Sequence, residues 1–371
     1  MRNNASKKKR IVVAMSGGVD SAIAAALLKA EGHDVIGVTM HIWESDASGT
    51  CCGLPAIEDA RKVAWKLGIP HYVLNLRDVF FCEVVSYFFE EYKQGRTPNP
   101  CVRCNRTIKF GALLEKAREL GADFIASGHH ARIEPDRQSG RYLLKKGTDR
   151  HKDQSYFLYA LQQEQLAHTL MPIGNLTKDR VREMARELDL PVAMKPQSQE
   201  ICFIPDESYA DFIRAHAPDA AKPGPILDVQ GNLLGQHRGI IYHTIGQRKG
   251  LGIAAEKPLY VTAIDPRRNA IIVGTKAETY SRELVASELN WIAIARPAQP
   301  LTVKAKVRYR HPETEATVTP LNDRRARVVF SQPQMAITPG QAVVFYHGDS
   351  VLGGGTIEMV TPATSTGTKR K

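Results

Sequence analysis

The first third of the chain switches between two hydrophobic periods. Arg10–Met15 (RIVVAM) is a short unbroken apolar run closed by Ser-Gly-Gly, the pattern of a strand buried on both faces. Asp20–Glu31, rich in alanine and leucine and followed by Gly32, predicts a helix with a C-terminal glycine. Asp34–Trp43 predicts a second strand, Pro55–Leu67 a helix stopped by Gly68-Ile69-Pro70, His71–Leu76 a third strand and Asp78–Lys93 an amphipathic helix. Gly95–Arg106, with two prolines, predicts a loop. Thr107–Leu120 then predicts a helix ending at Gly121, and Asp123–Gly128 a fourth strand. Strands and helices alternating at this spacing imply a parallel sheet with right-handed crossovers.

Residues 150–220 read as mostly helical: Leu161–Leu170, then Thr177–Leu188 with Thr177 as N-cap. After Pro223 short alternating runs take over, at Ile226–Asp228, Gly239–Thr244, Leu259–Ile264, Ala270–Val273, Leu301–Arg308, Ala316–Pro320, Arg325–Phe330 and Ala342–Tyr346. Turn signals such as Asp265-Pro266-Arg267-Arg268-Asn269 separate them, which predicts an all-β region of two small units. Gly353-Gly354-Gly355 reads as a turn or bulge. The expected division is 1–220, 221–285 and 286–363, with a solvated tail over 364–371.

Composition narrows the class. No apolar run approaches the ~18 residues of a membrane span, and no signal-peptide core follows the basic start Met1–Arg10, so the expectation is a cytoplasmic protein without membrane contact. Residues 221–371 carry 20 basic and 11 acidic side chains, against 30 and 28 before them. A basic C-terminal part on a near-neutral body suggests a polyanionic partner, nucleic acid first. The six cysteines, at 51, 52, 82, 101, 104 and 202, all precede the β region. In a reducing compartment such a cluster means metal binding, catalysis or chance. Cys82, amid Phe80, Phe81 and Val84, reads as a packed core thiol, and Cys51 and Cys52 suggest no definite role.

Ala14-Met15-Ser16-Gly17-Gly18-Val19-Asp20-Ser21 directly follows the first strand and opens the first helix. Glycines let backbone approach an anion closely, and helix-start N–H groups face it with the dipole behind them. Ser16 and Ser21 add hydroxyl donors. Asp20 does not favour bare phosphate and would instead reach a bound Mg²⁺. There is no Gly-Lys-[Ser/Thr], which excludes the Walker loop. The order SGGVDS resembles the pyrophosphate-loop ATPases, which split ATP between its α and β phosphates and adenylylate a substrate.

Cys101-Val102-Arg103-Cys104 would supply half a tetrahedral zinc set that Cys51-Cys52 could complete, although adjacent cysteines pair poorly as ligands. The combination of SGGVDS, TPNPCVRCNRTIKFGALLEKA, ASGHHAR, KDQSYFL, SQEICFI, HTIGQRKGLG, VRYR and TPGQAVVFY resembles the bacterial-type tRNA-specific 2-thiouridylase family over nearly the whole chain after residue 10. The fold that this implies is α/β plus β: a Rossmann-like parallel-sheet pyrophosphate-loop domain, a small β-rich central domain and a C-terminal β-barrel-like domain. The activity implied is ATP-dependent 2-thiolation of the wobble uridine of tRNA, the implied substrates being the tRNAs for Lys, Glu and Gln. The sulfur would come from a cysteine desulfurase or sulfur-relay protein.

The resemblance also implies roles, residue by residue. Cys104 would be the nucleophile and Cys202 the persulfide carrier, forming a transient disulfide with each other. Ala14–Ser21 (Ala14, Met15, Ser16, Gly17, Gly18, Val19, Asp20 and Ser21), Met40 and Gly128 would bind ATP. Asn99, Pro100 and Cys101 would meet the target base. His129, Lys152, Asp153, Gln154, Arg308, Tyr309, Arg310 and Gln341 would touch the tRNA. Two other readings stay open from the residues alone. One is an adenylylating ligase using free ammonia, in which both cysteines are idle. The other is a zinc-stabilised RNA-binding protein with a degenerate ATP site.

Overall fold

The computed structural model describes residues 8–43, 53–196, 201–204, 212 and 221–361. Cys51, Cys52 and the 364–371 tail lie outside them. Five strands, β1 (Arg10–Ala14), β2 (Asp34–His41), β3 (His71–Asn75), β4 (Phe124–Ala126) and β7 (Thr169–Leu170), form one parallel sheet in the order β3-β2-β1-β4-β7. The unbroken apolar run of β1 serves both faces. Ile11 and Val13 pack with helices α1 (Val19–Ala30) and α2 (Leu54–Leu67), whereas Val12 packs on the opposite side with Phe80, Phe88 and Ile108. The chain runs from β1 to β2 on one side and places β4 on the other, so a crevice opens at the carboxyl ends of β1 and β4.

Two helices differ from their sequence patterns. The amphipathic segment is helical over 77–93 but is widened by a π turn at Phe81–Val85. The expected loop Gly95–Arg106 instead contains the start of a helix over 100–119, again with a π segment, Asn105–Ala112. Asn99 is its N-cap, accepting from the Val102 amide, and Pro100 fixes the first helical residue. Both prolines suggested a loop, but Pro100 stands where a helix tolerates it. Cys82 is exposed, not packed: the core-facing residues of its helix are Phe80, Val84, Val85 and Phe88. Thr177 caps Lys178–Glu187 as expected, its side chain accepting from the Arg180 amide.

The β region holds two sheets. β8 (Gly224–Asp228), β9 (Leu233–His237), β10 (Tyr260–Asp265) and β11 (Ala270–Gly274) form one in the order β10-β11-β8-β9. Residues 239–244 are not a strand; Ile240–Tyr242 is a 3₁₀ turn that buries both isoleucines. β12 (Tyr280–Trp291), β15 (Ala326–Met335), β14 (Thr314–Pro320), β13 (Leu301–Lys306), β16 (Ala342–His347) and β17 (Ser350–Thr361) form the other, and pairing of β12 with β17 closes it into a six-stranded barrel. The hairpin of β5 (Ala131–Pro135) and β6 (Tyr142–Lys146) comes from the first 220 residues yet joins this sheet through Ser350 and Lys145. Arg308–Arg310 lie in a turn after β13 rather than on a strand.

Gly353–Gly355 are strand residues inside β17, not a turn. Strand β12 crosses so close that a Cβ on Gly353 would lie 2.2 Å from the Asn290 carbonyl oxygen, and one on Gly355 would lie 2.6 Å from that of Ser287. The bulge reading survives in the β12 register shift between Ser287 and Asn290. Among the described residues no helix is long and apolar enough to cross a membrane.

Gly353→Ala places a methyl group against backbone that cannot retreat without opening the barrel. It should destabilise the protein by about 1–3 kcal/mol, the range for overpacking a filled core. Thermal denaturation of the two proteins would measure this, and an unchanged midpoint would mean that β12 and β17 separate easily.

Candidate active site

The loop between β1 and α1 is held open by its own backbone. Gly17 has φ +65°, and a Cβ there would sit 2.3 Å from the Ala56 carbonyl oxygen. Gly18 is the N-cap of α1 and offers no side-chain acceptor, so the first amides of a 12-residue helix are left for another acceptor. Ser21 Oγ donates to the Gly18 carbonyl and accepts from the Ser16 amide, which ties the two ends of the loop together.

Strand β4 delivers Ser127–His130 to the same edge. Gly128 lies against the start of α1: a Cβ would be 2.6 Å from Asp20 C and Ser21 N. The result is a cavity of about 290 Å³ bounded by the glycine loop, Met40, Gly128 and His129, with Pro100, Cys101, Cys104 and Cys202 also on its wall. Cys104 is buried, Cys202 half-buried and Cys101 exposed. The two cysteines nearly a hundred positions apart thus share one chamber with the glycine loop.

Three lysines reach the cavity. Lys178 Nζ donates to both carboxylate oxygens of Asp20, at 2.6 and 2.7 Å. Lys195 Nζ donates to the Gly17 carbonyl and to Asp59, and Lys109 also reaches the wall. His130 Nε2 stands 3.4 Å from Asp20 Oδ1, and neither of its ring nitrogens makes a well-formed hydrogen bond. Burial alone would raise the Asp20 pKa, but His130 and the Lys178 charge outweigh it and hold the carboxyl below its usual value. His129 shares its Nδ1 with Ser127 Oγ at 2.9 Å and rests against the Phe110 ring. Burial, helped by Lys109 and His130, pushes its pKa down to about 3.

These donors suit a polyphosphate: helix amides, two serine hydroxyls and three ammonium groups line the cavity, with Asp20 the acidic side chain on its wall. Were Mg²⁺ to accompany that polyphosphate, Asp20 is the residue positioned to hold it, in exchange for its present contact with Lys178. Among the described residues no group of three or more His, Cys, Asp or Glu side chains is placed to bind a metal by itself.

Of the other expected site residues, Gln154 alone among those described next reaches this cavity. Asn99 is occupied in capping its helix and lines a separate small cavity. Gln154 reaches the main cavity and accepts from the His130 amide. Lys152 is half-buried beside it, but Asp153 is buried and accepts from the Gly147 and Ser155 amides and the Ser155 hydroxyl. Arg308 is half-buried and bonds inward to Ala336 and Thr338. Tyr309 packs on Phe157, while Arg310 is exposed. Gln341 donates to the Thr97 and Pro98 carbonyls.

Sequence reasoning missed Lys109, Lys178 and Lys195. For Lys178 a signal existed. It is the first residue after the Thr177 cap, where the helix dipole disfavours a cation and a partner of opposite charge offsets the cost.

Comparison with known proteins agrees in extent with this architecture. Family models described as tRNA methyl transferase HUP domain, tRNA methyl transferase PRC-barrel domain and aminomethyltransferase beta-barrel domain match residues 9–206, 210–275 and 281–357. The chain is 54% identical over 357 residues to the tRNA-specific 2-thiouridylase MnmA of Acetivibrio thermocellus, covering 95% of this chain and 99% of that one. It is 56% identical over 354 residues to the tRNA-specific 2-thiouridylase MnmA of Moorella thermoacetica, covering 94% and 99%.

His129 provides a pH test. Its folded pKa is depressed below the ordinary 6.5, so between about pH 6.5 and pH 3 the unfolded chain binds a proton that the native protein does not. The stability it permits is complete above that window and is lost as pH falls through it. His129→Gln should therefore flatten the acid side of the stability–pH curve by up to ~1.4 kcal/mol per unit. His237 and His243, depressed in the same direction, keep the slope from vanishing. Denaturant titrations at pH 7, 6 and 5 measure it; an unaltered slope would mean that His129 is protonated in the native state.

Proposed function

The chain belongs to the tRNA-specific 2-thiouridylase family and is accordingly a tRNA-modifying sulfurtransferase, and from that premise we propose that it converts the wobble uridine of tRNA to 2-thiouridine with the consumption of ATP. One observation carries the reading: Cys104, Cys202 and the glycine loop line a single cavity. An adenylylating ligase working on ammonia would have no use for that meeting, and neither would a zinc-stabilised binding protein.

The chemistry needs two activations. The C2 oxygen of uridine is a poor leaving group; attack of that oxygen on the α phosphorus of ATP makes it part of AMP and releases pyrophosphate. The glycine loop, the α1 amides and the lysines suit the negative charge that remains. Mg²⁺ on Asp20 would add Lewis-acid stabilisation there. Sulfur then arrives as the outer atom of a persulfide on Cys202, loaded by a cysteine desulfurase or relay protein. That atom attacks C2 and AMP departs. The Cys104 thiolate attacks the Cys202 sulfur, and the S–S bond breaks with its electron pair passing to the uridine sulfur. A Cys104–Cys202 disulfide remains, which an external thiol reduces before the next cycle.

For RNA, the excess charge after residue 221 supplies salt-sensitive affinity. Pro100 and Cys101, on the cavity wall, suit the flipped base, with Asn99 fixing the backbone they stand on. Exposed Arg310, half-buried Lys152 and the cavity wall at His129 and Gln154 are the groups we assign to tRNA binding, the species for Lys, Glu and Gln being those the family implies.

The cysteines should fail differently. Cys202→Ser loads no sulfur. Cys104→Ser loads sulfur but does not resolve it, and Cys101→Ser keeps most of its activity. All three should still release pyrophosphate when given ATP and tRNA. Single-turnover thiolation with preloaded enzyme, followed by non-reducing peptide mapping, decides the matter; full turnover by Cys104→Ser would sink the scheme. Separately, Arg310→Ala should reduce the slope of log affinity for tRNA against log salt by about one for each phosphate that Arg310 neutralises. A slope equal to the wild type would place Arg310 away from the RNA.

A further inference from the structure

The segment 95–98 runs from the 77–93 helix to the helix that carries Cys101 and Cys104, and both β units hold it. Gly95, at φ +68°, passes so near the central sheet that a Cβ would lie 2.7 Å from Ile264 Cγ2. Thr97 Oγ1 donates to Thr244 Oγ1 at 3.4 Å. The barrel grips harder. The Thr97 amide donates to the Pro339 carbonyl at 2.8 Å, and Gln341 Nε2 donates to the Thr97 and Pro98 carbonyls at 2.9 and 3.2 Å. Gly340, at φ +91°, lets the two backbones touch: a Cβ there would lie 2.9 Å from Thr97 N, C and O.

The gripping turn is itself fixed. Gly340 donates to the Ile357 carbonyl, and Ile357 donates back to that of Gln341, so the turn hangs on β17. Arg308 bonds to the Ala336 carbonyl and to Thr338 Oγ1 from the other side. Directly after the gripped Pro98 come the Asn99 cap and Pro100, which set where the helix begins and thus where Cys104, one turn further, meets the cavity.

We infer that Gln341 is a positioning residue for Cys104: by holding the Thr97 and Pro98 carbonyls to the barrel it sets the start of the cysteine-bearing helix. The inference rests on the thiolation reading for its importance, though not for its geometry. It differs from the role that the family resemblance implies for Gln341, a contact with tRNA, because its amide is already engaged by backbone. It also makes the barrel, whose surface would receive RNA, part of the frame of the active site.

Gln341→Glu keeps shape and removes the donor, setting a carboxylate against two carbonyls. Gln341→Met removes it without charge and serves if the first variant is poorly folded. Gln341→Lys restores a donor. In RNA-free and ATP-free protein, the rate of Cys104 alkylation by iodoacetamide should change severalfold in the Glu and Met variants while that of Cys202 stays the same. Single-turnover thiolation should fall by ~10- to 100-fold, the penalty for a reacting group displaced by about an ångström, with tRNA and ATP affinities nearly unchanged. The Lys variant should recover both. Unaltered Cys104 reactivity with weakened tRNA binding would overturn the inference and leave Gln341 as an RNA contact. A wild-type enzyme that does not thiolate tRNA would instead overturn the functional reading, because the alkylation measurement requires neither RNA nor ATP.

Discussion

The site depends on one close approach, that of Gly128 to the first turn of α1. Parallel pairing of β4 with β1 carries Ser127–His130 to the edge where the glycine loop leaves the sheet, and the lack of a Cβ at 128 lets the two backbones meet. Any side chain there would push β4 away from β1 or tilt α1, and with it the amides that face the cavity. Sheet order then does the rest. Because β2 and β4 flank β1 on opposite sides, the crossovers diverge and leave a crevice that no helix fills. The 100–119 helix packs against one face of the sheet and brings its N-terminal turn to that crevice.

Placing a carboxylate in the first turn of α1 satisfies the helix dipole but adds negative charge where an anion would bind. Lys178 resolves the conflict. It sits in the first turn of its own helix, unfavourably for that dipole, and finds its compensation in Asp20. Each charge is misplaced for one purpose and correct for the pair. A buried pair of this kind is not an efficient source of stability, because desolvation consumes most of the Coulomb gain. Its effect is to keep an ammonium group beside the loop while leaving the carboxylate ionised.

Much of this was legible in the sequence because it was local. Short apolar runs closed by glycine marked the parallel strands, and SGGVDS marked the loop, since both features act through neighbouring residues. What could not be read depended on distant backbone. Gly353–Gly355 looked like a turn because nothing nearby reveals that β12 will cross them. The β5–β6 hairpin gave no sign that its partner strand lies two hundred residues later. The start of the cysteine helix was the reverse case. Asn99-Pro100 is a cap followed by a first-turn proline, a signal present in the sequence but outweighed by reading Pro98 and Pro100 together as loop. Lys195 and Arg308 show the limit most plainly, since their partners are decided by the fold and by nothing adjacent to them.

The two cysteines are held by different means, and the difference bears on their proposed chemistry. Cys104 belongs to a helix whose origin is fixed by a cap, a proline and a backbone clamp; it is buried, and the chain immediately beyond it is a π segment, whose backbone bonds span five residues instead of four. Arg103 takes the complementary role, donating to the Glu83 carbonyl within the other π turn and to the Glu83 carboxylate, so the two widened helices brace each other beside the cavity. Cys202 lies instead in a short turn, closed by the Ile204 amide donating to the Ile201 carbonyl. Its anchor is the next residue: Phe203 is buried, with its ring 5.5 Å from that of Phe80 and 5.3 Å from that of Phe88. Aromatic contact and one turn fix where this segment enters the core, whereas a capped helix and a backbone clamp set the place of Cys104. A sulfur carrier must reach a donor outside the cavity and an acceptor within it, whereas the thiolate that resolves it has to occupy one place. The asymmetry of the two anchors matches that division of labour.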